Sequence, residues 1–137
     1  MSTSTVPEGF EPLVEVNGYI AHNGPYYVKK LPDGALIFGF QADDRHTNPN
    51  NVLHGGALSG FADTVFGYSI VHGLGRNCAT ISLTTEFMAG VPWGSWIEAS
   101  VHVKRTTKSM AFVDTNLTLD GDIVLSATGV FRLFEPR

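Results

Sequence analysis

Cysteine is almost missing from this chain. Cys78 is the only one in 137 residues, which excludes an internal disulfide and a thiolate zinc cluster and fits a reducing cytoplasm. Long runs of one charge are also missing. The net charge is −4 with no basic or acidic block, which argues against a nucleic-acid binder held by a broad basic face. No apolar run reaches the ~18 residues of a membrane span. The opening "MSTSTVPEGFEP" has no basic region followed by an apolar core, so no secretory signal is expected. Repeats, linkers and low-complexity stretches are lacking too. One domain over residues 1–137 is therefore expected, with the small polar residues 1–8 frayed.

What is present is a soluble, globular composition, 43% hydrophobic and 16% charged, long enough for a sizeable core. A short helix is expected near Leu13–Val16, limited by Pro12 and Gly18. Asp33-Gly34 lies between two β-prone runs and signals a hairpin. Beyond it, Leu36, Phe38 and Phe40 alternate with Ile37, Gly39 and Gln41, as in a strand covered on both sides. The second half reads as long antiparallel strands. "CATISLTTEFM" is rich in β-formers. "WIEASVHVKRT" sets Ile97, Ala99, Val101 and Val103 against Glu98, Ser100, His102 and Lys104. "SMAFVDTNLTL" puts Ala111, Val113, Leu117 and Leu119 on one face. After a turn at Asp120-Gly121, Ile123, Leu125, Ala127, Phe131 and Leu133 share a face.

Between the strand groups lies one convincing long helix, roughly Gly55 to Val71. Ala57, Leu58, Phe61, Ala62, Val65, Phe66 and Ile70 follow helical spacing. Its single charge is Asp63. A helix this apolar is buried on most sides. One such helix with five or six antiparallel strands predicts an α+β fold, a sheet curled around a central helix.

The polar residues around that helix have two readings. A carboxylate within it is costly unless paired or hydrogen-bonded. Asp63 either accepts bonds from a neighbouring strand or serves chemistry. His54-Gly55-Gly56 is either a turn that lets the chain enter the helix or a set of free N–H groups facing a ligand oxygen. Nine helical steps separate His54 from Asp63, a rotation of about 180° beyond two turns and a rise of ~13.5 Å. The two cannot meet within one subunit. Acting together, they would come from two chains whose helices run antiparallel, as a two-fold dimer allows.

The stretch "HTNPNNVLHGGALSGFADTVFGY" resembles the core motif of hotdog-fold acyl-CoA thioesterases, in the subgroup of phenylacetic acid degradation-type enzymes. The resemblance runs from about His22 to Phe134. It implies an antiparallel sheet wrapped around a long helix, hydrolysis of an acyl-CoA substrate to a carboxylic acid and free CoA, no metal or redox cofactor, and dimers that pair into tetramers. It also implies roles by position. Asp63 matches the essential carboxylate, a general base towards water or a nucleophile. Gly55 matches the glycine whose N–H polarises the thioester carbonyl, and His54 the histidine that shapes the turn. Asn48 matches an asparagine that helps place the carboxylate or water in the facing subunit. Thr80 matches a Ser or Thr at the start of the following strand, with Thr84 as a rival.

Other residues carry weaker signals. Gly56 belongs to the same turn and is a candidate substrate contact. Phe66, Phe87 and Met88 are candidates for an acyl pocket or are simply core. Lys104, Arg105 and Lys108 lie in a stretch without acidic residues, either an anion site for the phosphates of coenzyme A or a solvated turn. His22, His46, His72 and His102 show no metal-ligand spacing, and His46 lies near enough to Asn48 to touch ligand. Trp93 and Trp96 are packing or oligomer contacts, and Cys78 is a small core residue. Three rival functions remain: an acyl-CoA sensor or carrier, against which Asp63 argues; a dehydratase, whose histidine pattern is not found; and a structural oligomer, in which the polar motif would have no purpose.

Overall fold

The computed structural model describes residues 6–13 and 18–136. Strand β1 (Glu11–Pro12) leads to the short helix α1 (Tyr19–Asn23), then β2 (Tyr26–Lys30) and β3 (Leu36–Gln41). A 3-10 turn at Asp44–His46 precedes α2 (Gly55–Leu74), which is followed by β4 (Arg76–Phe87), β5 (Trp96–Thr106), β6 (Met110–Leu119) and β7 (Asp122–Pro136). The expected helix near Leu13–Val16 falls at residues 14–16 outside the described residues, as do residues 1–5 of the expected frayed end.

All strands join one antiparallel sheet in the order β1-β2-β3-β5-β6-β7-β4. Among the described residues there are seven, the two-residue β1 being one that carries no period-two signal. The hairpins form where turn chemistry placed them. Gly34 has φ +91°, and its N–H donates to Leu31 O. Asp120 and Gly121 both take positive φ, the geometry that a two-residue hairpin needs.

Helix α2 lies on the concave face, packed against β4, β5, β6 and β7. Leu58, Phe61, Ala62, Val65, Phe66 and Ile70 are buried, following the spacing read from the sequence. Apart from Ala62, each such side chain contributes roughly 1.5–3 kcal/mol of burial. Opposite them stand Phe38, Phe40, Ile97, Ala99, Val113, Leu117, Leu125 and Phe131. The helix runs three residues past Val71. Gly75 ends it in the left-handed region at φ +68°, its N–H on Val71 O, which suits a residue without a Cβ. The outer face of β3 is covered as expected: the Trp96 ring lies over Gly39, where a Cβ would collide with it, and Phe10 packs edge-on against Trp96.

One face assignment differs. Ile123 is 43% exposed and Val124 is buried. The register shifts between Leu117 and Thr118, so Thr118 pairs with Ile123 and Leu117 with Leu125. A bulge breaks strict alternation. Among the described residues no helix is long and apolar enough to cross a membrane.

Candidate active site

His54 is the N-cap of α2. Its backbone is extended (φ −65°, ψ 137°), and its Nδ1 accepts from Gly56 N–H at 2.8 Å. A ring that accepts at Nδ1 carries its N–H at Nε2. The His54 carbonyl takes the N–H groups of Ala57 (2.9 Å) and Leu58 (3.3 Å). Of the helix-start donors, Gly56 is therefore committed to the cap, and Gly55 N–H is left without an acceptor among the described residues. The turn before it is built by Asn48, whose Oδ1 accepts from Asn50 N–H (2.8 Å) and whose carbonyl accepts from Asn51 N–H (3.0 Å).

Gly55 opens onto a cavity of about 490 Å3 that Leu53, Leu58, Phe87, Met88, Ala89 and Gly90 also line. Phe87 and Met88, expected at an acyl pocket, are 54% and 55% exposed. Phe66 is not with them. It is fully buried, edge-on to Phe131 at 5.9 Å, and this corrects its assignment to a pocket wall. Residue 66 lies only about 60° round the helix from Asp63, but that is enough to turn the ring into the sheet.

Asp63 is half-buried on the flank of α2 that faces β4. Thr80 Oγ1 donates to its Oδ1 at 2.7 Å. The helix carboxylate is thus satisfied by the neighbouring strand, and of the two candidate threonines it is Thr80 that makes the bond. Asp63 and Thr80 line a cavity of about 580 Å3. Gly60, Gly67, Cys78 and Phe131 line it too. Cys78, read as a core residue, is half-buried and packs against the core, and it also lines this cavity because it shares a strand face with Thr80 two residues on. Burial pushes its thiol pKa up, and the Asp63 charge adds to this.

The two cavities share no lining residue, although both open on α2 and β4. Strand β4 reaches both through a bulge. Thr80 pairs with Phe131 and Ser82 with Val130, leaving Ile81 as the extra residue, 56% exposed. Thr80 and Phe87 are seven residues apart and would face opposite ways on a regular strand. The bulge reverses the alternation, and both face α2.

Tyr19 and Ile20 of α1 also line the Asp63 cavity, and neither stood out in the sequence. The Tyr19 hydroxyl sits where a Cβ on Gly60 would be, and it bonds the buried Tyr26, whose phenol is held above its ordinary pKa by burial and by Tyr19. The end of α1 is clamped from the 3-10 turn: Arg45 donates to His22 O (2.5 Å) and Gly24 O (2.6 Å), and His46 Nε2 bonds Asn23 O. His46, a candidate ligand contact, is 4% exposed and serves this clamp. Asp43 joins it. Burial pushes its carboxyl up, but the bonds from Arg45 outweigh this and hold it below the ordinary value.

Lys104, Arg105 and Lys108 are exposed around the β5–β6 hairpin and line neither cavity. Arg76 ties that hairpin to the start of β4, donating to Lys108 O (3.0 Å) and Phe134 O (2.7 Å). Arg76, which holds that hairpin, lies about 13 Å along β4 from Thr80.

The thioesterase superfamily model matches residues 50–126, the segment from just before the His54 cap to mid-β7. A Pseudomonas aeruginosa protein, PA0474, named as an inferred esterase, is 31% identical over 130 residues, 93% of this chain and 97% of that protein. Two solved structures share the fold. The PaaI protein from the phenylacetic acid degradation operon of E. coli has a TM-score of 0.77 at 19% identity, over 88% of this chain and 87% of that one. A hypothetical thioesterase of Streptococcus pneumoniae, solved with coenzyme A, has a TM-score of 0.75 at 19% identity, over 82% and 88%. A cap that leaves one helix-start N–H free, a hydrogen-bonded carboxylate on the same helix and this match agree: the chain belongs to the thioesterase superfamily and is a hotdog-fold thioester hydrolase.

Proposed function

We propose that this chain is an acyl-CoA thioesterase working as a two-fold homodimer, each site combining Asp63 of one subunit with Gly55 of the other. One observation carries the reading. In a single chain, the free Gly55 N–H and the Asp63 carboxylate open into separate cavities on one helix. Strand β4 lines both, and it pairs with β7 alone, so its outer edge has no strand partner among the described residues. An open twelve-residue edge bearing Ile81 and Phe87 exposed invites pairing. Two copies joined antiparallel along it bring the Thr80 end of one to the Phe87 end of the other. That places carboxylate and donor across one site. Pairing of dimers into tetramers belongs to the same proposal.

The chemistry follows from the groups. Thr80 holds Oδ1 of Asp63, which leaves Oδ2 to accept a proton from water. The water oxygen adds to the thioester carbonyl, whose oxygen gains charge beside Gly55 N–H and the positive end of α2. The tetrahedral intermediate collapses, the C–S bond breaks, and the proton held on Asp63 passes to the departing thiolate. Coenzyme A as the carrier is supported by the streptococcal neighbour's bound CoA and by the basic hairpin. Neutralising Lys104, Arg105 or Lys108 is expected to raise KM for acyl-CoA with little change in kcat, since a phosphate contact is equal in ground and transition states. The effect should shrink as salt rises. Unchanged KM in all three variants would leave the hairpin a solvated turn.

Subunit mixing tests the shared site. Asp63→Asn and Gly55→Pro homodimers are each expected to be nearly inactive. Re-assorted heterodimers should regain activity, because one of their two sites is then intact. Heterodimers verified by mass that remain inactive would place both groups within one chain.

A further inference from the structure

We infer that Gly67 keeps open a channel for an apolar acyl tail and is the residue that sets how long or bulky that tail can be. The inference rests on the reading that Asp63 works on a thioester, and it adds the direction and chemistry of the substrate's acyl group.

Three glycines stand inside α2, at positions 60, 67 and 73, and each weakens the helix by about 1 kcal/mol relative to alanine. Gly60 has a structural cause, since the Tyr19 hydroxyl occupies the place of its Cβ. Gly67 has none among the described residues. A Cβ there would meet no atom within 4 Å. The space it leaves belongs to the cavity of Asp63 and Thr80.

Helix geometry gives that space a direction. Gly60 and Gly67 lie about one turn before and after Asp63 on the same flank. Tyr19 closes the Gly60 side. Of the two directions along α2, the one open to the tail of a thioester at Asp63 is therefore towards Gly67, about 6 Å further along the axis. There the walls are Gly67, Cys78, whose sulfur lies 4.0 Å from Gly67 O, and the buried Phe131. Among the described residues this end carries no charged side chain, and Asp63 at its entrance repels a carboxylate. The matching substrate has an uncharged tail, aliphatic or aryl, that passes Gly67. An acetyl group stops short of it.

The test compares acetyl-, octanoyl- and phenylacetyl-CoA hydrolysis by thiol release, in the wild type, Gly67→Leu, Gly67→Ala and Gly73→Leu, with oligomeric mass recorded for each. Gly73 is a suitable control, because a Cβ there is also unobstructed and it lies outside this cavity. In Gly67→Leu the octanoyl-to-acetyl ratio of kcat/KM should fall at least ~10-fold, as expected for filling an apolar pocket. Gly67→Ala should show a smaller fall, and it decides the matter if Gly67→Leu does not fold. Gly73→Leu should keep the wild-type ratio. An unchanged ratio at position 67, an equal fall at position 73, or loss of the dimer in Gly67→Leu would each overturn the assignment, the last by showing that Gly67 serves helix approach between subunits. Absence of wild-type turnover on every acyl-CoA would instead sink the thioesterase reading on which it rests.

Discussion

Asp63→Asn is expected to reduce kcat for acyl-CoA hydrolysis by ~10²–10⁴-fold, the range for loss of a positioned general base. Asn is nearly isosteric with Asp, and its side-chain oxygen can still accept the Thr80 hydroxyl that now binds Oδ1 at 2.7 Å. The α2–β4 contact should therefore survive, with thermal stability and acyl-CoA affinity close to wild type. What the amide cannot do is take a proton from water. A variant with near-normal kcat would remove Asp63 from the chemistry and leave it as a strand-to-helix tie.

Gly55→Pro should lower kcat by ~10²–10³-fold, the loss seen when one oxyanion donor is removed. The substitution deletes the N–H while asking little of the fold. Proline is accepted at the first helical position, and the extended His54 (φ −65°, ψ 137°) already has the backbone that a following proline requires. The new side chain would press on Phe87, 3.1 Å from an ideal Cβ, but that ring is 54% exposed and can give. Gly55→Ala makes the same contact and keeps the N–H, so it separates the donor from crowding. If both variants lose activity alike, the Phe87 contact and not the N–H is responsible.

Much of the architecture was legible because period and burial agree. Leu58, Phe61, Ala62, Val65, Phe66 and Ile70 mark a helix, and Ala111, Val113 and Leu117 mark a half-buried strand, whatever lies around them. His54-Gly55-Gly56 and Asp63 stood out as a candidate site for a different reason: polar groups at the start and in the middle of an apolar helix need a cause, and the resemblance supplied the roles proposed for them. The rest depended on distant parts of the chain. Phe66 kept its place in the helical core pattern, and what is lost is its alternative place in an acyl pocket, which rested on the resemblance alone. Cys78 packs against the core as read, but its place in the wall of the Asp63 cavity, which alternation with Thr80 implies, was not drawn. Helix α1 has five residues, too few to persist alone, and Arg45 and His46 fasten it from over twenty positions away. No local pattern marks Tyr19 as a neighbour of Asp63. Ile123 went astray because a bulge is a tertiary accommodation with no signature in hydrophobic alternation.

The bulge at Ile81 makes β4 tolerant of a change in length at one place. The side chain of Ile81 is exposed and could change with little penalty to the folded chain. The residue itself is the unpaired one. With Ile81 deleted, Thr80 still meets Phe131 and Ser82 still meets Val130. Thr80 and Phe87 then stand six positions apart and face the same way on a regular strand. Asp63 keeps its threonine and Gly55 keeps Phe87. A single codon lost there would shorten the chain and leave both ends of α2 coupled to β4.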